Sequence, residues 1–172
     1  EVWTVDFEGW FTLQDGQRCD PLTECDRYSR YIICCHGCAN QQFKGTLRVF
    51  KKLIRHHGLL EIIRVDNGAP FASVALGGLS KLSVWWIEQG ILVEFMTPAS
   101  PQEDCSHERM HRDLKAEATK PQSKNLPAQR KRLERWRHEY NNDRPHESLD
   151  MLRSADIYRN SAKRIGETYK IR

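Results

Sequence analysis

The chain has 172 residues, 39% of them hydrophobic and 29% charged, with a net charge of +4. That length suits one compact domain, and no apolar run approaches the roughly 18 residues of a transmembrane helix, which argues against a membrane protein. Residues 1–108 hold 10 Lys/Arg against 14 Asp/Glu, and residues 109–172 hold 17 against 9. An acidic front with a basic back suits a protein that holds a polyanion beside a carboxylate cluster.

"VWTVDFEGWFTL" (2–13) is rich in β-branched and aromatic residues and reads as a strand, followed by a turn at "DGQRCDP" (15–21). "LTECDRYSRYIICC" (22–35) supplies two more strands, broken near residues 26–29. Cys34, Cys35, His36 and Cys38 crowd its end. Neighbouring cysteines on a strand point to opposite faces and do not easily share a metal, so they read as structural thiols of a reducing cytoplasm. Residues 41–58 place Phe43, Leu47, Phe50, Leu53 and Ile54 at helical spacing, with Gly58 as the stop. "LLEIIRVDNG" (59–68) and "GILVEFM" (90–96) read as buried strands, separated by a helix over 76–89 that turns Leu79, Leu82, Val84 and Trp86 inward. After a loop, "SHERMHRDLK" (106–115) reads as a helix with Met110 and Leu114 on one stripe and Glu108, Arg112 and Lys115 at i, i+4 and i+7 on another. Residues 126–143 form a long basic helix whose Leu133, Trp136 and Tyr140 make an apolar docking face. A turn over 144–151 follows, and then a helical tail. The expected fold is α/β, a mixed five-stranded sheet of three antiparallel strands and then parallel additions, flanked by helices on both faces.

Three acids stand where chemistry can use them. Asp6 interrupts an apolar strand, opposite in direction to Trp3, Val5 and Phe7, and an aspartate there is costly unless paired or ligated. Asp66 ends a buried strand, where α/β sheets place their ligands, and Glu108 opens a helix. Carboxylates on rigid elements make a hard-oxygen site for Mg²⁺ or Mn²⁺, the kind that serves phosphoryl transfer. Taken singly, Asp66 is also readable as a turn residue and Asp6 as a satisfied structural acid.

With "VWTVDFEG" (2–9), "CDPLTECDRYSRYI" (19–32), "VDNGAPF" (65–71), "PASPQEDCSHERMHRDLK" (98–115) and "EYNNDRPHESL" (139–149) in this order, the chain resembles the catalytic core of DDE transposases and retroviral integrases, bacterial insertion-sequence transposases above all. The resemblance implies an RNase H-like fold, two divalent ions with DNA bound, and cutting and joining of DNA ends. It lays Asp6, Asp66 and Glu108 on the three catalytic acids, with Glu103 and Asp104 as competitors for the third place. It also makes Arg112, Lys115 and His111 contacts to the DNA end, with His107 and His111 alternatively packing residues. Arg130, Lys131 and Arg137 would extend the DNA track. The expected division is a catalytic core over 1–120 and a basic helical extension over 121–172. The expected partners are element-end and target DNA and further copies of the chain, a homodimer or larger, in a bacterial cytoplasm. The chain departs from the family at Asp104 and Cys105, where an amide and a glycine are usual, and at "RSADIY" (153–158). Those departures leave open a catalytically impaired DNA-binding remnant, and an RNase H-type nuclease is the other alternative. The chain starts without Met, inside a strand pattern, and so reads as a piece of a longer protein.

Overall fold

The computed structural model describes residues 2–74, 77–96 and 105–165. Its first strand, β1 (Val2–Phe7), is broken at Gly9 and resumes as β2 (Phe11–Thr12) against the same neighbour, β3 (Arg18–Asp26). Gly9 carries φ 74°, a left-handed conformation that a side chain disfavours. β4 (Ile32–Cys38) pairs antiparallel with β3, and helix α1 (Phe43–His57) crosses over to β5 (Ile62–Val65), which pairs parallel with β1. Helix α2 (Lys81–Glu88) then carries the chain to β6 (Leu92–Phe95), parallel to β5. The sheet order is therefore β4–β3–β1–β5–β6, with β2 extending the β3 edge, so the expected five-stranded mixed sheet is what forms. Helices α3 (Cys105–Ala118) and α4 (Leu126–Asn142) follow. A two-residue ladder of β7 (Pro145–His146) and β8 (Leu152–Arg153) and the short α5 (Ser154–Ile157) come last.

Strand alternation divides the core in two. Trp3 and Val5 of β1, Leu22, Ile63 and Val65 pack with Phe50 and Ile54 of α1 and Leu82 and Trp86 of α2. On the opposite face, Cys25, Ile32 and Cys35 pack with Met110 and Leu114 of α3 and with Leu133, Trp136 and Tyr140 of α4. The apolar face read in residues 126–143 is thus the one that docks. Cys35 and Cys38 are spaced as a C-x-x-C pair but fall in different clusters, and Cys19, Cys25, Cys34, Cys35 and Cys38 are all buried and free.

Several local expectations give way. "GILVEFM" is only partly buried: Ile91 enters the core, but β6 is the sheet edge and Leu92 is 58% exposed. Helix α2 begins at Lys81, later than the apolar pattern suggests. Ser80 caps it by accepting from the Leu82 and Ser83 amides, which leaves Leu79 before the helix and turns Val84 outward. Among the described residues the tail is helical only over α5, and residues 158–165 run without a helix past the end of α1, where Tyr158 stacks on Tyr31 at 4.2 Å; residues 166–172 lie outside the described residues.

Candidate metal and DNA site

Asp6 and Asp66 stand on neighbouring strands. Val5 and Val65 are register partners in the parallel pair β1–β5, so the residues that follow each emerge at the same level of the sheet. Asp6 turns away from the Trp3 and Val5 core toward α3. Its carboxyl is pushed up to about 7, first by burial and then by the negative charges of Asp66 and Glu8, against the opposing pull of His107. A partly desolvated carboxyl raised by a neighbouring carboxylate is what a divalent cation relieves, and hard oxygen donors suit Mg²⁺ or Mn²⁺.

Each residue of the Asp66-Asn67-Gly68 turn has a separate task. The Gly68 amide donates to Asp66 Oδ1 at 3.2 Å, and Asn67 Nδ2 donates to the Met96 carbonyl at 2.7 Å, tying the turn to the end of β6. A methyl group on Gly68 would lie 2.9 Å from Asp66 Oδ2. Phe71, three residues on, is buried and stacks on Phe7 at 5.7 Å. Gly68→Ala is therefore expected to leave the fold intact while turning the Asp66 carboxylate away. Divalent-ion binding followed by calorimetry should weaken by about tenfold or more, as changes to residues that orient a ligand usually do. Unchanged affinity would show that Asp66 is indifferent to its turn.

Glu108 sits in the first turn of α3 and is exposed, one residue along from the buried His107. Glu103 and Asp104 lie outside the described residues.

Residues 89–153 match the family model described as Integrase core domain. A Burkholderia multivorans protein named Insertion element IS407 uncharacterized 31.7 kDa protein is 25% identical over 161 residues, 91% of this chain and 54% of the relative. The chain thus spans about half the length of that curated relative. Among solved structures, the catalytic core domain of BIV integrase superposes with TM-score 0.68 at 17% identity, covering 91% of this chain and 92% of that one. The HTLV-2 integrase catalytic core domain in complex with magnesium, in its trimeric form, gives 0.69 at 15%, covering 91% and 95%. A simian T-cell lymphotropic virus intasome chain gives 0.73 at 16%, covering 99% of this chain and 59% of that one. These likenesses share the RNase H-like fold found here.

The chain is thus similar to integrase core domains over residues 89–153 and shares the fold of retroviral integrase catalytic cores.

One group beside Asp6 escapes a reading of the sequence. Glu8 lies two residues on, on the same side of the chain, and His111 and Lys115 both close on its carboxylate. Burial alone would raise the Glu8 carboxyl, but the hydrogen bonds and charges of His111 and Lys115 outweigh it and hold the group at about 2. His111 also stands 2.8 Å from Thr23 Oγ1 and 3.9 Å from Asp6 Oδ2. Asp6, Glu8 and His111 form a compact set of potential ligands. The signal in the sequence was the i, i+2 spacing of Asp6 and Glu8.

The basic residues read from the sequence fall into distinct surroundings. Arg112 is exposed, with Asp113 at 4.0 Å, whereas Lys115 reaches back to Glu8 and His111 is buried on the sheet-facing side of α3. Lys131 is exposed, and Arg130 donates through Nε to the Gly37 carbonyl at 2.8 Å. Arg137 is 17% exposed, bonded to Glu134 and donating to the Ile32 carbonyl at 3.1 Å, so the structure gives it a bracing contact.

Proposed function

We propose that this core cuts and joins DNA ends as the catalytic domain of a bacterial transposase, with Asp6, Asp66 and Glu108 as the ligands of Mg²⁺ or Mn²⁺. The observation that carries the reading is the placement of Asp6 and Asp66 at one level of adjacent parallel strands, where the Asp66 charge helps to raise the Asp6 carboxyl. When bound, the divalent ions supply activation of the attacking oxygen and stabilisation of the leaving one. The chain's own residues fix the geometry. Asn67 and Gly68 aim Asp66, β1 fixes Asp6, and α3 presents Glu108 beside the exposed Arg112, which suits a DNA phosphate. Glu8, neutralised by His111 and Lys115, buttresses α3 against β1 rather than binding the ions. In this reading residues 1–120 carry the acids and residues 121–172 brace them and widen the DNA surface. The working form is a homodimer or larger on element-end and target DNA, in the bacterial cytoplasm.

The test is strand cleavage of labelled duplex taken from the flanks of the reading frame, with RNA–DNA hybrid in parallel. Nicked and joined duplex products are expected with Mg²⁺ or Mn²⁺ and not with chelator. Glu108→Gln should lose product by on the order of 10³-fold, because several kcal/mol of ligand-dependent stabilisation is removed. Glu8→Gln should retain most of it. The reverse ranking would move the third ligand to Glu8, and cleavage confined to the hybrid would identify a nuclease.

A further inference from the structure

Along α1, Arg48, Lys51, Lys52 and Arg55 are exposed, and none of them pairs with an acid among the described residues. That sets them apart from Arg18, Arg64, Arg144, Arg153 and Lys163, each held by a carboxylate. The four line an open cavity of about 690 Å³ between α1 and the end of β4, together with His36 and Arg130, and no Asp or Glu lines it. Arg130 comes from α4 on the other side of the sheet, and its bond to the Gly37 carbonyl holds it at the β4 edge. His36 registers the resulting field: burial first, and then the positive charges of Arg130 and Lys52, push its imidazole down to about 4. A second cavity, sharing His36 and Arg130, continues onto α4, where Lys131 and Arg135 alternate with Glu134 and Glu139.

We propose that this groove is a second DNA track, which takes the phosphate backbone of a stretch of duplex distinct from the one at Asp6 and Asp66. The inference rests on the DNA reading above and adds a surface to it. The groove is across the sheet from α3, since α1 packs on the Trp3 face and Asp6 turns to the other. Arg48 to Arg55 spans two helical turns, about 10 Å, or about three phosphates of one strand at 3.4 Å each. Every Lys, Arg, Asp or Glu side chain in the lining is a cation, which suits contacts to a phosphate backbone independent of base sequence. The other candidate occupant, a second copy of this chain, would have to bring acids to the groove.

The test uses the full chain with chelator present, so that cleavage plays no part. A fluorescent duplex of arbitrary sequence is titrated at several salt concentrations against the parent and against R48A/K51A/K52A/R55A. The parent should show a steep salt dependence. The quadruple variant should lose about two to four from the slope of log K against log salt, at about 0.9 per phosphate contact. Its affinity at low salt should fall by about 10-fold to 100-fold, with unchanged thermal stability. If the quadruple variant does not fold, K51Q/K52Q should still lose between one and two from the slope. Equal slopes for parent and variant overturn the groove and leave the DNA reading standing. A parent that binds no duplex at low salt removes both. A variant that keeps its DNA affinity but changes its mass by light scattering assigns the groove to contact between copies.

Discussion

Asp6→Asn is expected to abolish metal-dependent strand cleavage and, at the same time, to make the ion-free protein more stable at pH 8. The two effects have one cause. The carboxyl of Asp6 rises from 3.8 to about 7 through burial and through the charges of Asp66 and Glu8. Between those values the folded state keeps a proton that the unfolded state has released. The folded state is therefore favoured below the ordinary value, and that stability is lost as pH rises through about 7. At pH 8 the parent bears a partly buried, unwanted charge that asparagine lacks. The gain should be on the order of a few kcal/mol at pH 8 and near zero at pH 4, which thermal melts at the two pH values would show. Adding Mg²⁺ or Mn²⁺ at pH 8 should raise the parent's melting temperature and leave the variant's unmoved, since ligand binding stabilises only the form that binds. Asp66→Asn should shift the Asp6 titration downward, because the Asp66 charge is one of the causes that raise it. A variant that cleaves at the parent's rate, or that is no more stable at pH 8, would remove Asp6 from the site.

Asp6 and Asp66 were legible because each sits at a marked place: an acid in an apolar strand, and an acid closing one. The same rule applied to β3 picks out three acids in other settings. Asp20 is buried but held by Arg18 and Gln41, and Asp26 is buried under bonds from Ser29. Glu24 is fully buried, with its carboxyl pushed well above its ordinary value by desolvation. Local pattern shows that an acid is out of place, while only the sheet register shows which acid faces another. The i, i+2 spacing marks Glu8 as a neighbour of Asp6, but its ion pairs do not show locally, because His111 and Lys115 lie about a hundred residues away in sequence. Helical faces were easier. Leu133, Trp136 and Tyr140 share a stripe whatever they pack on, and burial follows from the stripe. Strand β6 was misjudged because a short apolar run looks alike in the centre of a sheet and at its edge, and position in the sheet is a tertiary fact.

The largest stability loss is expected from Asn141→Ala, in the "EYNNDRPHESL" stretch. Beside Ile32 the β3–β4 register shifts between Glu24 and Cys25, at the first residue of β4. Asn141 reaches over from α4 and plays the part of a strand there: Oδ1 accepts from the Ile32 amide at 2.8 Å, and Nδ2 donates to the Ile32 carbonyl at 2.9 Å. The asparagine is fully buried. Alanine leaves the Ile32 amide without this acceptor, while Arg137 still donates to the carbonyl at 3.1 Å. An orphaned buried donor costs about 1–3 kcal/mol, and the vacated volume adds to it, so a loss of about 2–4 kcal/mol is expected. For a chain of this size that lowers the melting temperature by roughly 5–15 °C. The neighbouring Asn142 supplies the control. Its Nδ2 donates only to the His138 carbonyl one turn back, at an exposed position, and Asn142→Ala should change stability by less than about 0.5 kcal/mol. Because Asn141 pins α4 to β4, its loss should also loosen the seat of Trp136 and Tyr140, seen as a red shift of tryptophan emission before global unfolding. Equal stability of the two alanine variants would mean that the helix is held by its apolar face alone.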